Sequence, residues 1–266
     1  HQDGHSHILA NTIPNCVAYD PCFGYELAVI VHDGLKRMYV NQERVFYYLT
    51  VMNENYEHPE MPQGVEEGIK RGMYQLEKDD KATVQLMGSG VILREVIKAA
   101  KILRDEYQIH SNVWSVTSFN ELAREGMAVE EYNRLHPLED GKEAWVSQQL
   151  RGTDGIVVSA TDHMRAYSEQ IRAYLPDSRP FVALGTDGYG RSDTRGNLRS
   201  YFGVDAAHIV VATLKKLADE GEVDARLVKD AISSFELDVD RPVAWLPQAH
   251  PTTQDVAPYA EPTEEK

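Results

Sequence analysis

Apolar positions along the chain recur with two periods that take turns. Cys16-Val17-Ala18-Tyr19 is a short apolar run closed by Asp20-Pro21, which predicts a strand followed by a turn. Leu27, Ala28, Val31, Leu35 and Met38 then recur three and four apart and paint one face of a helix. Val45 to Met52, rich in aromatic and β-branched residues, predicts a buried parallel strand. Asn53 to Gln63 carries Pro59 and Pro62 with few apolar side chains, the composition of a linker, and places a domain boundary near Met61.

Beyond the linker, strands and helices alternate. Strands are predicted over Thr83 to Met87, Val113 to Val116, Gly155 to Ser159 and Phe181 to Leu184. Helices are predicted over Ile92 to Tyr107, Phe119 to Leu135 and Met164 to Tyr174. Asp205 and Asp224 stand where they can cap two further helices, the first carrying Ile209, Val210, Leu214 and Leu217 and ending at Gly221. Such alternation requires right-handed crossovers and gives an α/β fold, a three-layer, mainly parallel sheet covered on both faces. From Arg241 onward five prolines and several acids follow one another with little pattern, so a poorly ordered tail is expected there.

Composition narrows the partners. Lys and Arg number 27 against 42 Asp and Glu, a net charge of −15, which repels phosphate backbones and anionic lipid, so neither nucleic acid nor membrane is expected as a partner. No stretch of about 18 apolar residues occurs. The two cysteines, Cys16 and Cys22, are too few for a disulfide framework and suit reduced packing thiols, which points to a cytoplasmic location.

The densest chemistry lies at the start, His1-Gln2-Asp3-Gly4-His5-Ser6-His7, where three imidazoles and a carboxylate can move protons near neutral pH. His1, Asp3, His5 and His7 resemble metal-ligand spacing, but a zinc hydrolase also needs ligands from later strands. His32, His58, His110, His136, His163, His208 and His250 are scattered without Cys or Asp clustering, so no metal site is expected here. Two other stretches are polar loops. Met87-Gly88-Ser89-Gly90 reads as a tight turn in preference to a phosphate cradle, because no Gly-x-Gly-x-x-Gly is completed. In Gly185 to Arg195, Asp187, Asp193, Arg191 and Arg195 are placed to pair with one another. Asp162-His163 reads as a helix cap beside a surface histidine, Ser115 to Phe119 as a cap, and Trp114 and Trp145 as core or interface anchors.

Several blocks in order, HQDGHSHILANTIPNCVAYDP, YYLTVMNENYEHPEMPQGVEEGIKRGMY, VQLMGSGVILREVIKAAKIL, VWSVTSFNELARE, NRLHPLE and LGTDGYGRSDTRGNLRSYFGVDAAHIVVATL, resemble the decarboxylating subunit of the homodimeric bacterial pyruvate dehydrogenases, in the transketolase superfamily. The resemblance implies three parts: residues 1–60, the end of a middle, pyrimidine-binding domain plus linker; residues 61–240, a transketolase-like C-terminal domain; and residues 241–266, an acidic, Pro-rich tail. Because the chain opens with His in mid-motif, it is expected to be a fragment of a longer polypeptide.

The resemblance also implies thiamine diphosphate and magnesium as cofactors of that parent, pyruvate as substrate, a homodimer, and the dihydrolipoyl acetyltransferase core as partner. His1 matches the histidine of the family's Gly-Glu-Gly-Leu-Gln-His, which faces the thiazolium; Asp3 and His5 are supporting candidates, and Gln2 stands where some relatives carry Glu. The family's diphosphate motif, Gly-Asp-Gly, does not occur in the chain, so the fragment alone is expected to bind no cofactor and to be inactive. A non-catalytic assembly module and a transketolase are the competing readings.

Overall fold

The computed structural model describes residues 4–241, 244 and 245. The first part runs α1 (Ser6–Asn11), β1 (Cys16–Tyr19), α2 (Gly24–Leu35) and β2 (Phe46–Leu49), with a single π-helical stretch, Lys36–Val40, continuing α2. β1 and β2 pair in parallel as a two-stranded sheet. β1 is buried along its whole length, whereas β2 is half-buried with Phe46 exposed. The expectation of a buried strand over Val45 to Met52 is therefore corrected: β2 is four residues long and, among the described residues, pairs only with β1, so its outer side meets no further strand. α2 also turns the other way from its apolar stripe. Glu26, Ile30 and Gly34 face inward, while Ala28, Val31 and Leu35 are exposed. The helix is apolar on more than one side, and periodicity alone does not choose between the faces.

After the linker come α3 (Glu66–Arg71), β3 (Met73–Glu77), β4 (Val84–Gly88), α4 (Leu93–Tyr107), β5 (Ser111–Val116), α5 (Phe119–Leu135), α6 (Trp145–Leu150), β6 (Ile156–Ala160), α7 (Arg165–Glu169), β7 (Phe181–Leu184), α8 (Arg195–Phe202), α9 (Ala206–Asp219) and α10 (Ala225–Ser234). The sheet order is β3-β5-β4-β6-β7, parallel except for β3, which runs antiparallel on the edge beside β5. Asp205 and Asp224 cap α9 and α10 through the backbone amides of His208 and Arg226, as the sequence predicts, and Ser118 caps α5 through Glu121.

The period of two divides the core. Val84 and Leu86 of β4 with Ile156, Val158 and Ala160 of β6 pack against α4 and α9, while Met87, Trp114, Val116 and Val157 pack on the other side with Phe119, Leu122, Val146, Leu150 and Tyr167. Gln85, the polar residue buried in the central strand, accepts hydrogen bonds from Trp114 Nε1 at 3.0 Å and Asn112 Nδ2 at 3.1 Å and donates to the Asp154 carbonyl at 3.0 Å. The arrangement is the three-layer α/β sandwich expected, with α4 and α9 on one face of the sheet and α5 to α7 on the other.

The elements missed in the sequence are short or polar. α3, α6 and α8 have six, six and eight residues, too few for a helical period to show, and β3 follows directly on the C-cap Gly72 of α3. The helix expected over Met164 to Tyr174 is cut to Arg165–Glu169 followed by a 3-10 turn, Arg172–Tyr174. Apart from Arg241, Ala244 and Trp245, the expected tail lies outside the described residues.

Candidate active site wall

The two sheets meet at the carboxyl ends of their strands. Asp20 and Thr50 follow β1 and β2; Ser89, Thr117, Thr161 and Thr186 stand just beyond β4, β5, β6 and β7. Asp20 donates its backbone N–H to the Thr117 carbonyl at 2.8 Å and accepts from the Gly90 amide at 2.9 Å. Its carboxylate is buried and receives the Thr50 hydroxyl at 2.6 Å on Oδ1 and the Ser89 hydroxyl at 2.9 Å on Oδ2. Ser89 also meets Thr161 at 2.9 Å.

Two histidines complete the cluster. His7, fully buried in α1, places Nε2 2.9 Å from Thr50 Oγ1. Because an ionised carboxylate only accepts, the single Thr50 proton goes to Asp20, and His7 Nε2 is therefore the donor to Thr50. His163 Nε2 lies 3.4 Å from Asp20 Oδ2, and the His7 and His163 rings meet edge-on at 4.5 Å. Tyr167 closes the cluster, its ring 4.8 Å from that of His7 and 5.2 Å from that of His163. Burial pushes the Asp20 carboxyl up, but the charges of His163 and His7 and the bonds from His163 and Thr50 outweigh it and hold Asp20 well below the usual carboxylate range. Burial and the Asp20 charge push the Tyr167 hydroxyl far above its ordinary value, so it stays protonated.

The stretch singled out in the sequence is only partly visible. His1 and Asp3 lie outside the described residues. His5 is exposed at the start of α1, and its carbonyl accepts from Ile8 and Leu9. Gly4 is tied to the second part of the chain by the Met164 amide, which donates to its carbonyl at 2.9 Å. Gly4 is thus fastened to the residue that follows His163.

Several sequence readings change here. His163 is buried in the cluster, not on the surface, and the N-cap position of α7 is held by Met164. Among the described residues, Asp187, Asp193, Arg191 and Arg195 of the loop after β7 bond to other partners instead of to one another. Asp187 takes Arg165 Nε at 2.5 Å, Arg191 donates to the Tyr201 hydroxyl, Arg195 donates to Asn53, and Asp193 accepts from Thr194 and Asn197. Asp20, Thr50 and Thr161 were not singled out as site residues. Their common signal is a polar residue immediately after an apolar strand, the position at which open α/β sheets bind ligands.

The Gly88-Ser89-Gly90 turn holds no room for a diphosphate. A Cβ on Gly90 would stand 2.5 Å from Asp20 Oδ2, and one on Gly88 2.7 Å from Leu93 Cα. The glycines serve close packing, and the buried Asp20 carboxylate stands where an anion would approach. Cys16 and Cys22 are free, buried thiols, with burial raising both, as befits packing residues.

Comparison with known proteins gives this geometry a family. Residues 72–205 match the transketolase-like C-terminal domain, and the chain belongs to that family. Residues 1–59 match the middle domain of the pyruvate dehydrogenase E1 component. The chain is 52% identical over 244 residues to the pyruvate dehydrogenase E1 component of Pseudomonas aeruginosa and to that of Escherichia coli. In both cases 91% of this chain is covered; it spans 28% of the length of the first relative and 27% of the second. Among solved structures, the transketolase of Campylobacter jejuni superposes with a TM-score of 0.57 at 17% identity, covering 81% of this chain and 28% of that one. The transketolase of Leishmania mexicana gives 0.57 at 17% identity, covering 93% and 29%. These likenesses bear out the fold class.

Proposed function

We propose that this chain is the C-terminal part of the decarboxylating subunit of a pyruvate dehydrogenase complex, divided into residues 1–60, 61–240 and 241–266 as set out above. The supporting observation is the succession of two matches along one chain, an E1 middle domain followed by a transketolase-like C-terminal domain, with half of the aligned residues identical to E1 components. A transketolase is the weaker reading, because the two solved transketolases named above share only 17% of residues with the chain.

Thiamine diphosphate, when held by the longer protein with magnesium, supplies the carbanion chemistry that removes carbon dioxide from pyruvate. The crowded Gly88-Ser89-Gly90 turn offers its diphosphate no cradle, and this reading assigns the cofactor's anchorage to another part of the longer protein. This chain contributes a wall. His1 exchanges a proton with the substrate oxygen or the incoming lipoyl sulfur, and Asp3 and His5 support it. The product acetyl group passes to the lipoyl arm of the dihydrolipoyl acetyltransferase core, and the subunit works as a cytoplasmic homodimer. The chain alone is inactive. Among the described residues no helix is long and apolar enough to cross a membrane.

Substrate choice tests the reading. The longer polypeptide of the source, supplied with thiamine diphosphate and magnesium, is expected to release carbon dioxide from pyruvate and reduce ferricyanide, and to transfer no two-carbon unit from a ketose phosphate. Transfer from the ketose without pyruvate turnover would establish the transketolase reading instead.

A further inference from the structure

The heptapeptide His1 to His7 carries metal-ligand spacing but no second cluster in the sequence to complete it. The fold supplies that cluster from elsewhere. His7, Asp20 and His163 are brought together from α1, the end of β1 and the loop after β6, with one ligand atom of each lying within 4.8 Å of the others, and all three residues are buried. We propose that these three side chains form a binding site for one divalent transition metal of the zinc class.

Three observations support the assignment. Two imidazoles and one carboxylate are a donor set that zinc takes in proteins, with a fourth position for an oxygen ligand. The His163 Nε2 to Asp20 Oδ2 separation is 3.4 Å. A charge-assisted hydrogen bond between such groups is usually about 2.7–2.9 Å. Two ligands on one tetrahedral zinc, with bonds of about 2.0–2.2 Å, stand about 3.3–3.6 Å apart. This edge of the cluster already has the spacing of a coordination shell.

The outer partners are in place as well. Thr50 and Ser89 donate to the two oxygens of Asp20, and His7 Nε2 donates to Thr50 Oγ1 at 2.9 Å. Groups of this kind orient ligands from behind and raise affinity. Because His7 and Asp20 precede the linker and His163 follows it, the ion clamps the first part of the chain to the five-stranded sheet. The site stands independently of the reaction proposed above.

The test uses the 266-residue chain, stripped with a chelator and titrated with cobalt(II). One equivalent is expected to bind with the visible absorption of a tetrahedral ion and to be displaced by zinc(II). His163→Phe and His7→Gln, with unchanged circular dichroism, are expected to weaken binding at least about 100-fold, beyond the 10–100-fold typical of an outer-shell change. His32→Gln, on an exposed residue, is expected to leave it unaltered. Should both cluster variants fail to fold, X-ray absorption at the zinc edge of the wild-type chain decides: two imidazoles and oxygen support the site. Absence of stoichiometric binding, binding that survives both substitutions in folded protein, or a shell without imidazole would overturn it and leave a buried Asp20–His163 ion pair.

Discussion

Ser89 donates its hydroxyl hydrogen to Asp20 across 2.9 Å, although 69 residues separate them and they follow strands of different sheets. The bond is a direct measure of how the two parts of the chain are joined. Removing it in Ser89→Ala leaves a buried carboxylate short of one donor, and the expected loss of stability is about 1–3 kcal/mol. Gly90→Ala should cost about 1–2 kcal/mol for its positive φ alone, and more because the new methyl meets the Asp20 carboxylate. Urea unfolding of the 266-residue chain measures both. A change below about 0.5 kcal/mol in Ser89→Ala would show that the junction does not depend on this bond.

Glu26 predicts a pH effect. It is fully buried and accepts from the Cys22 and Phe23 amides, the Tyr74 hydroxyl and the Ser115 hydroxyl. Burial outweighs these donors and raises its pKa. A carboxyl whose folded pKa exceeds its unfolded value, about 4.3, contributes stability that is complete below the unfolded value and lost as pH rises through the folded one. The stability difference between wild type and Glu26→Gln should therefore move in favour of wild type on acidification from pH 8 to pH 4. A difference that is flat, or that moves the other way, would mean that the four donors prevail over burial.

The inward face of α2 can be checked with two truncations. Ile30 is 1% exposed and Val31 41% exposed. Ile30→Ala is expected to cost about 2–5 kcal/mol and Val31→Ala no more than about 0.5 kcal/mol. Equal costs would restore the face that the apolar stripe suggests.

Much of the second part was legible because its elements are long and strongly periodic. α4 and α9 bury the stripes that Val96, Ala99 and Leu103, or Ile209, Val210 and Leu214, announce. β3 was not legible, since an edge strand of five residues that enters directly from a helix offers little alternation. The cluster of His7, Asp20 and His163 could not be read either. Its members come from elements that meet only when the sheets dock end to end, and each looks locally like a turn residue or a surface histidine. The helix face chosen by α2 was hidden for a related reason: a buried Glu26 is tolerated only because distant Tyr74 and Ser115 reach it.

The division of labour proposed for the chain predicts its behaviour toward cofactor. Calorimetric titration with thiamine diphosphate and magnesium is expected to give no saturable heat at micromolar concentration, because Asp20 fills the one glycine-bounded turn after β4 and no Gly-Asp-Gly is present. Stoichiometric binding would place a diphosphate site within these residues.

The most direct test of the functional account is turnover of the longer polypeptide with pyruvate and a lipoyl acceptor after His1→Ala. Loss of a positioned proton-transfer group should lower kcat roughly 10²-fold or more, with the fold unchanged by circular dichroism. Near-wild-type turnover would contradict the account by removing His1 from the reaction.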